Sequence, residues 1–381
     1  FPHARVVSPR QLPAVPPRRV LCPFCGQGQH LIKRTLEISR EPAHLAVRNE
    51  QLIIQSKIGP GGRDGQIVGS VPCEDIGLVM VDHPQTTYTH SALTQLAESD
   101  AAVVLCGHDH LPVAMLLPLA DHTQVVWRLR DQLGVSKPLQ KQLWSQLVIA
   151  KVEAQARNLA VESGPRKKLF ALAKEVRSGD PMNIEAQAAK IYWANWLSEA
   201  TPAELDSEPF RRDPALSGLN GFLNYGYAVL RASVARAIVA GGLHPSLGIH
   251  HCNRSNAFCL ADDLIEPFRP LVDDCVREMA RQGYDELKQP AKAELLGILT
   301  QPMQLGEQTG PLMVMLHRLV ASLVRCYSGE SKKLEIPIPV AELSEAGSSH
   351  KPAGLCEAGP SEISNPEVGD LSHRSPQQPL T

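Results

Sequence analysis

The sequence predicts an α+β protein in which an N-terminal β-sandwich-like domain precedes a larger, mostly α-helical domain. Three observations carry this. Between residues 33 and 118, short β-branched or alternating runs are separated by turn-formers. After Trp127 the apolar residues recur at three- and four-residue spacing, the period of an amphipathic helix. A length of 381 residues also fits about two domains at roughly 150 residues each.

The elements follow in order. Residues 1–30 hold six prolines, four arginines and no acid. Such a stretch lacks the periodic apolar pattern that offsets ordering entropy, so it reads as a flexible leader outside the fold. Strands are expected at 34–39, 44–48, 51–55, 66–71, 76–81 and 101–106, with a helix at 91–98. Asn49-Glu50 and Gly59-Pro60-Gly61-Gly62 are the turns between them. Helices are expected at 139–162, 184–199, 223–240, 261–281, 291–299 and 311–327. Residues 336–381 hold seven prolines, six acids, two bases and no Phe, Trp or Tyr, and read as a disordered tail. The organisation is therefore a leader at 1–30, a β-rich domain at 31–120, a helical domain at 121–335 and a tail at 336–381.

Composition excludes several classes. Lys plus Arg is 38 and Asp plus Glu is 40, a net charge of -2, so this is no uniformly basic nucleic-acid coat. No apolar run reaches the roughly 18 residues a membrane helix needs. Pro13, Pro16, Pro17, Arg18 and Arg19 interrupt any secretory h-region. Nine scattered cysteines read as reduced thiols and not as a disulfide framework, which implies a cytoplasmic protein.

The chemistry concentrates in the helical region. Between Trp127 and Arg177 there are eleven bases against four acids, a local excess of seven positive charges. This is either a solvated helix face or a surface for a phosphate backbone. Downstream come Gly179-Asp180-Pro181-Met182-Asn183-Ile184-Glu185-Ala186, Gly248-Ile249-His250-His251, and Leu260-Ala261-Asp262-Asp263-Leu264-Ile265-Glu266-Pro267-Phe268-Arg269-Pro270. Asp263 and Glu266, three apart, share one helix face. A carboxylate at a helix start, a loop histidine and a second helical carboxylate can together bind an oxygen-preferring divalent cation. Spacing alone leaves open the alternative that these are solvated charges.

The ordered set Asn183-Ile184-Glu185 with Ala188 and Tyr192, Leu223-Asn224-Tyr225-Gly226-Tyr227, Gly248-Ile249-His250-His251 and Asp263-Leu264-Ile265-Glu266-Pro267-Phe268-Arg269-Pro270 resembles the CRISPR-associated endonuclease and integrase family Cas1. The likeness spans residues 32–327, and the form of the His and Glu motifs resembles the type II subtype that accompanies the effector nuclease Cas9. The resemblance implies an N-terminal β-sandwich that dimerises and a helical catalytic domain. It also implies a homodimer, and assembly with a dimer of Cas2 into a heterohexameric integration complex. It implies Mg²⁺ or Mn²⁺ held by Glu185, His251 and Glu266, with Asp263 beside the metal or behind its ligands. His251 is favoured over His250 because it stands three residues after Gly248. Asp262 has no counterpart and reads as a helix cap or surface residue. The implied substrate is double-stranded DNA, a protospacer and a CRISPR repeat, joined by attack of a 3′-hydroxyl on a repeat phosphodiester. Arg166, Lys167, Lys168, Arg211, Arg212 and Arg254 are the candidate DNA contacts. Two other readings stand beside this one: a transposon-borne, casposase-like integrase, and a non-catalytic DNA-binding scaffold that keeps the fold.

Other signals carry less. Cys22, Cys25 and His30 form half a zinc knuckle, but Thr35 stands where a fourth ligand would fall. Cys106-Gly107-His108-Asp109-His110 could be a metal cluster, but it follows a strand and reads as structural. Ile58-Gly59-Pro60-Gly61-Gly62 lacks the Gly-Lys-Ser/Thr of a phosphate loop. Met313 and Met315 fit an apolar helix stripe, Tyr227 fits packing, and Tyr225 could face DNA.

Overall fold

The computed structural model describes residues 33–56, 65–118, 123–197, 210–215 and 217–340. The leader 1–30 with Cys22, Cys25 and His30, the Gly59–Gly62 turn and the tail from residue 341 lie outside the described residues.

Among the described residues eight strands come first: β1 (Arg34–Ile38), β2 (Ala43–Arg48), β3 (Gln51–Ser56), β4 (Ile67–Pro72), β5 (Ile76–Val81), β6 (Thr87–Tyr88), β7 (Ala102–Cys106) and β8 (Pro112–Leu116). They form two four-stranded sheets, ordered β1-β5-β7-β8 and β4-β3-β2-β6. The second sheet is built around the expected hairpin. Arg48 pairs with Gln51, and the two residues between, Asn49 and Glu50, have φ of 50° and 61°, both left-handed, as a tight two-residue turn requires.

The first sheet departs from a run of hairpins, because β1 pairs with β5 and β5 with β7 in parallel. All six residues of β5, Ile-Gly-Leu-Val-Met-Val, are buried. Alternate side chains serve two cores. Val79, Val81 and Val103 pack with Leu45 and Leu52 of the second sheet and with Ala92 and Leu96 of helix α1 (His90–Glu98). Leu78, Met80, Ala102 and Val104 join the core that the later helices build. A parallel sheet covered on both faces reads as a continuous apolar run, which explains β5. The two sheets close the sandwich-like half, and the first sheet also floors the helical half. The described residues through Val340 fall in one compact unit.

The helices are α2 (Val125–Gly134), α3 (Lys137–Arg157), α4 (Gly164–Glu175), α5 (Ile184–Asn195), α6 (Leu219–Ala240), α7 (Cys259–Ile265), α8 (Arg269–Arg281), α9 (Gln289–Gly297) and α10 (Leu312–Tyr327). The expected helix at 139–162 corresponds to α3 alone, which ends at Arg157, and a helix absent from the sequence reading, α4, begins at Gly164. Ser163 caps α4 by accepting the Arg166 N–H, and Pro165 follows in the first turn, where its missing donor costs nothing. Helix α6 is buried nearly all round, with sixteen of its 22 residues out of solvent, and forms the axis of the helical half. Gly226 permits this: a Cβ there would lie 2.4 Å from Val272 Cγ1 on α8.

The expected helix at 261–281 is also broken. After α7 comes a 3₁₀ turn, Glu266–Phe268, and then α8. Pro267 and Pro270 have no N–H to continue an α-helical ladder, so the chain restarts at each. A hairpin of β9 (Pro302–Leu305) and β10 (Gln308–Pro311) precedes α10. Within the segment expected to be tail, β11 (Ile338–Pro339) pairs with β9, so ordered structure continues past residue 335. No helix among the described residues is long and apolar enough to cross a membrane.

Candidate functional site

Glu185 stands in the first turn of α5, and the chain entering that helix is tightly held. Gly179, Asp180 and Asn183 have φ of 80°, 48° and 52°, left-handed positions that Gly, Asn and Asp tolerate best. The Asp180 carboxylate accepts the N–H groups of Ile184 (2.9 Å) and Glu185 (3.0 Å), which fixes the start of the helix. The Glu185 side chain then reaches Lys151 Nζ at 2.6 Å.

Lys151 belongs to α3 and also pairs with Glu266. It is only 8% exposed, because it stands on the helix stripe that buries Leu147, Val148 and Val152. Glu266, on the proline-rich turn between α7 and α8, is buried and receives Arg269 Nε at 2.9 Å. Burial alone would push the Glu266 carboxyl up, but the charges of Arg269 and Lys151 outweigh it and hold the group below its ordinary range. Burial would likewise lower the Lys151 ammonium, yet Glu266 and Glu185 raise it. Arg269 is held over the Tyr227 ring at 4.6 Å, with Arg212 over the same ring at 5.4 Å. Asp273 accepts the Tyr227 hydroxyl.

His251 is placed by Asp263, whose side chain is fully buried. Its carboxylate accepts the backbone N–H groups of Ile249 (2.6 Å), His250 (3.0 Å) and His251 (3.2 Å). It also takes the His251 Nδ1 at 2.6 Å. The loop closes this tightly because residue 248 is glycine: a Cβ there would meet His251 O at 2.2 Å and Asp263 Oδ2 at 2.9 Å. The Asp263 hydrogen bond raises the His251 pKa against the effect of burial, and the Glu266 charge adds to the rise. His250 takes another role, its ring stacked on Trp144 with centroids 4.1 Å apart and planes 5° apart.

The structure thus joins Glu185 to Glu266 through Lys151, and joins His251 to Asp263, which precedes Glu266 by three residues. Among the described residues, no three His, Cys, Asp or Glu side chains converge as a closed metal-ligand set. The donor chemistry nonetheless suits a divalent cation. Two carboxylates already share one cationic centre, and an imidazole whose Nδ1 is held by a buried carboxylate leaves Nε2 for a ligand.

The remaining expectations divide. Asp262 is no surface cap: it is buried, with Arg231 Nε at 2.6 Å and Asn256 Nδ2 at 2.7 Å. Arg166 donates to the carbonyls of Arg157 and Leu159 at the end of α3. Lys167 pairs with Glu162 at the surface, and Lys168, Arg211 and Arg254 are exposed. Arg212 donates to Asn220 and Asn224 of α6. Tyr225 is fully buried and does not face a surface. His110 pairs with Asp82, which Lys292 also engages, so that stretch joins the β-rich half to α9.

Sequence reasoning missed Lys151, Arg269 and Asp180. Lys151 was counted among the surface bases. Its signal is its place three and four residues after Val148 and Leu147 on an apolar stripe.

The model for the CRISPR associated protein Cas1 family matches residues 36–299. The chain is 36% identical, over 299 residues, to the CRISPR-associated endonuclease Cas1 of Neisseria meningitidis serogroup C (strain 8013), covering 77% of this chain and 92% of that protein. In fold it is similar to a casposase bound to integration product, with a TM-score of 0.65 and 18% identity over 83% of this chain and 99% of the other. It is also similar to a chain of a Cas6-RT-Cas1–Cas2 complex, with a TM-score of 0.63 and 17% identity over 82% of this chain and 36% of that one. A family match across most of the chain, joined to that identity with nearly the whole Neisseria protein, makes this chain a member of the CRISPR-associated Cas1 family.

Proposed function

We propose that the protein is a divalent-metal-dependent DNA endonuclease and integrase that inserts short foreign DNA into a CRISPR array. The observation that carries this reading is the pairing of Glu185 and Glu266 on one cationic centre beside a histidine oriented by a buried aspartate, in a chain of the Cas1 family. Glu185, Glu266 and His251 would hold Mg²⁺ or Mn²⁺. The bound ion would neutralise charge growing on the phosphodiester and favour the ionised form of the attacking hydroxyl.

The chain's own groups do the rest. Asp263 fixes the His251 tautomer and leaves Nε2 as the exposed nitrogen. Arg269, clamped between Glu266 and Tyr227, keeps the Glu266 carboxylate oriented and ionised. In the joining step a 3′-oxygen forms a bond to a repeat phosphorus as the bridging P–O bond breaks. The displaced strand leaves with its own 3′-hydroxyl, so no protein nucleophile is required. Lys168, Arg211 and Arg254, exposed near these elements, are the candidate backbone contacts, with Arg212 poised over Tyr227. The partners proposed are double-stranded DNA, a second copy of this chain, a Cas2 dimer and, on the type II resemblance, Cas9. The compartment is the cytoplasm.

The likeness to a casposase supports a second reading, an integrase acting on transposon ends with the same residues. A strand-transfer assay separates the alternatives. The protein is mixed with Cas2, a short duplex with 3′-hydroxyl ends, and a plasmid bearing either a repeat or inverted transposon ends, with Mn²⁺ or EDTA. Metal-dependent joining at the repeat that disappears in Glu185→Ala, while DNA binding persists, supports the first reading. Joining of transposon ends alone supports the second, and transfer unchanged in Glu185→Ala refutes this site.

A further inference from the structure

We infer that Lys151 is a built-in counter-cation of the carboxylate pair, and that it competes with the divalent ion for Glu185 and Glu266 and so sets how readily the site loads. This rests on the metal reading above. The ammonium contacts Glu185 Oε1 at 2.6 Å and also Glu266 Oε2, so it occupies the place where the two carboxylates converge. It is not a surface lysine that happens to reach a glutamate. Its Cα lies on the buried stripe of α3, its side chain is 10% exposed, and its partners come from α5 and from the proline-broken turn.

Charge explains why the lysine is there. Without it, Glu185 would face Glu266, which is 6% exposed on its side chain, with only Arg269 in compensation. Two like carboxylates brought together in a part-buried site repel one another. With Lys151 and Arg269 present, the two negative charges of Glu185 and Glu266 meet two positive ones, so this four-residue cluster is balanced without a metal. Adding a divalent ion to that balance leaves an excess of positive charge in a poorly solvated place, so one cation must give way.

Arg269 is the less free to leave. Its guanidinium is fixed by the Nε–H that it donates to Glu266 Oε1 at 2.9 Å and by its place over the Tyr227 ring. Lys151 carries its charge on a flexible four-carbon stem that stacks on no ring among the described residues, so it is the group that withdraws. Lys151 therefore acts as a positioning residue. It holds the two carboxylates together before the metal arrives, at the expense of metal affinity.

The test is calorimetric titration of Mn²⁺ into the full chain, stripped with EDTA and without DNA, together with thermal melts. The proteins are the wild type, Lys151→Met, Lys151→Gln and Glu266→Gln. The two lysine variants are purified with Mn²⁺ and then stripped, and the neutral hydrogen-bonding glutamine carries the test if the methionine variant does not fold. Mn²⁺ binding that is lost in Glu266→Gln and about tenfold or more tighter in either lysine variant supports the inference. So does a lower metal-free melting temperature in those variants that Mn²⁺ raises by more than it raises the wild type. Glu266-dependent binding of equal or lower affinity in the lysine variants overturns the inference and leaves the metal reading standing. Absence of Glu266-dependent binding in every protein overturns both.

Discussion

Asp263→Asn is nearly isosteric, so it removes charge while leaving volume in place. In the native protein Oδ2 accepts the N–H groups of Ile249 (2.6 Å) and His250 (3.0 Å). Oδ1 accepts the His251 N–H at 3.2 Å and meets its Nδ1 at 2.6 Å. An amide retains one oxygen and hence one of these two pairs. Its NH₂ would face the donors of the other. Two lost bonds to a charged acceptor, at roughly 1.5–3 kcal/mol each, give about 3–5 kcal/mol after modest relaxation of the loop. That is a large share of the roughly 5–15 kcal/mol that holds a domain folded.

The same change removes the main cause of the raised His251 pKa, the Asp263 hydrogen bond, so the imidazole should titrate lower in the variant. A raised folded-state pKa contributes stability that is present below the unfolded value of 6.5 and is lost as pH rises through the folded one. The deficit of Asp263→Asn should therefore be larger at pH 5.5 than at pH 8.5. Urea unfolding at both pH values, with an NMR titration of the His251 ring, measures each part. A midpoint equal to wild type at both pH values, with an unmoved His251 titration, would refute the account of Asp263 as the residue that builds the loop.

The other predictions concern neighbouring groups. His251→Ala should abolish strand transfer, whereas His250→Ala should reduce it far less, because the His250 ring lies flat on Trp144; the reverse order in a gel-based joining assay would show that the wrong histidine was chosen. Gly248→Ala should cost a few kcal/mol in chemical unfolding, since its Cβ would press on His251 O at 2.2 Å. Gly221→Ala, in α6 with nothing within 4 Å of the added carbon, should be neutral or stabilising by roughly 0.5–1 kcal/mol. Burial pushes the Asp273 carboxyl up to about 7 from 3.8 despite the hydrogen bond it accepts from Tyr227. Wild-type stability should thus decline as pH rises from about 4 through about 7, and melts of Asp273→Asn should show a flatter profile across that range.

Much of the architecture was legible because it is local. β5 came out with its expected bounds, and β2, β3 and α10 within a residue or so, since period-2 and period-3.6 apolar patterns report which backbone geometry lets a chain bury one side. The Asn49-Glu50 turn was readable from its chemistry. The boundaries that slipped did so for local reasons given too little weight: Ser163-Gly164-Pro165 starts a new helix, and Pro267 and Pro270 interrupt one. β8 was passed over because Pro-Val-Ala-Met-Leu is a continuous apolar run with no period-2 alternation, although three of its five residues are exposed in the fold.

What the chain alone makes readable is the class of each element, the order of the elements and the family to which the motifs point. Each of these is written in spacing and side-chain type along a single stretch of chain. Tertiary structure alone decided that Leu78 and Met80 turn to the helical core while Val79 and Val81 turn to the second sheet, because an apolar run does not say what will cover each face. It alone decided that Lys151 leaves the basic surface to join Glu185, 34 residues away, and Glu266 beyond it. A charge's partner is fixed by which helices pack together and by the penalty for burying an unpaired ion, and neither is carried by neighbours in sequence.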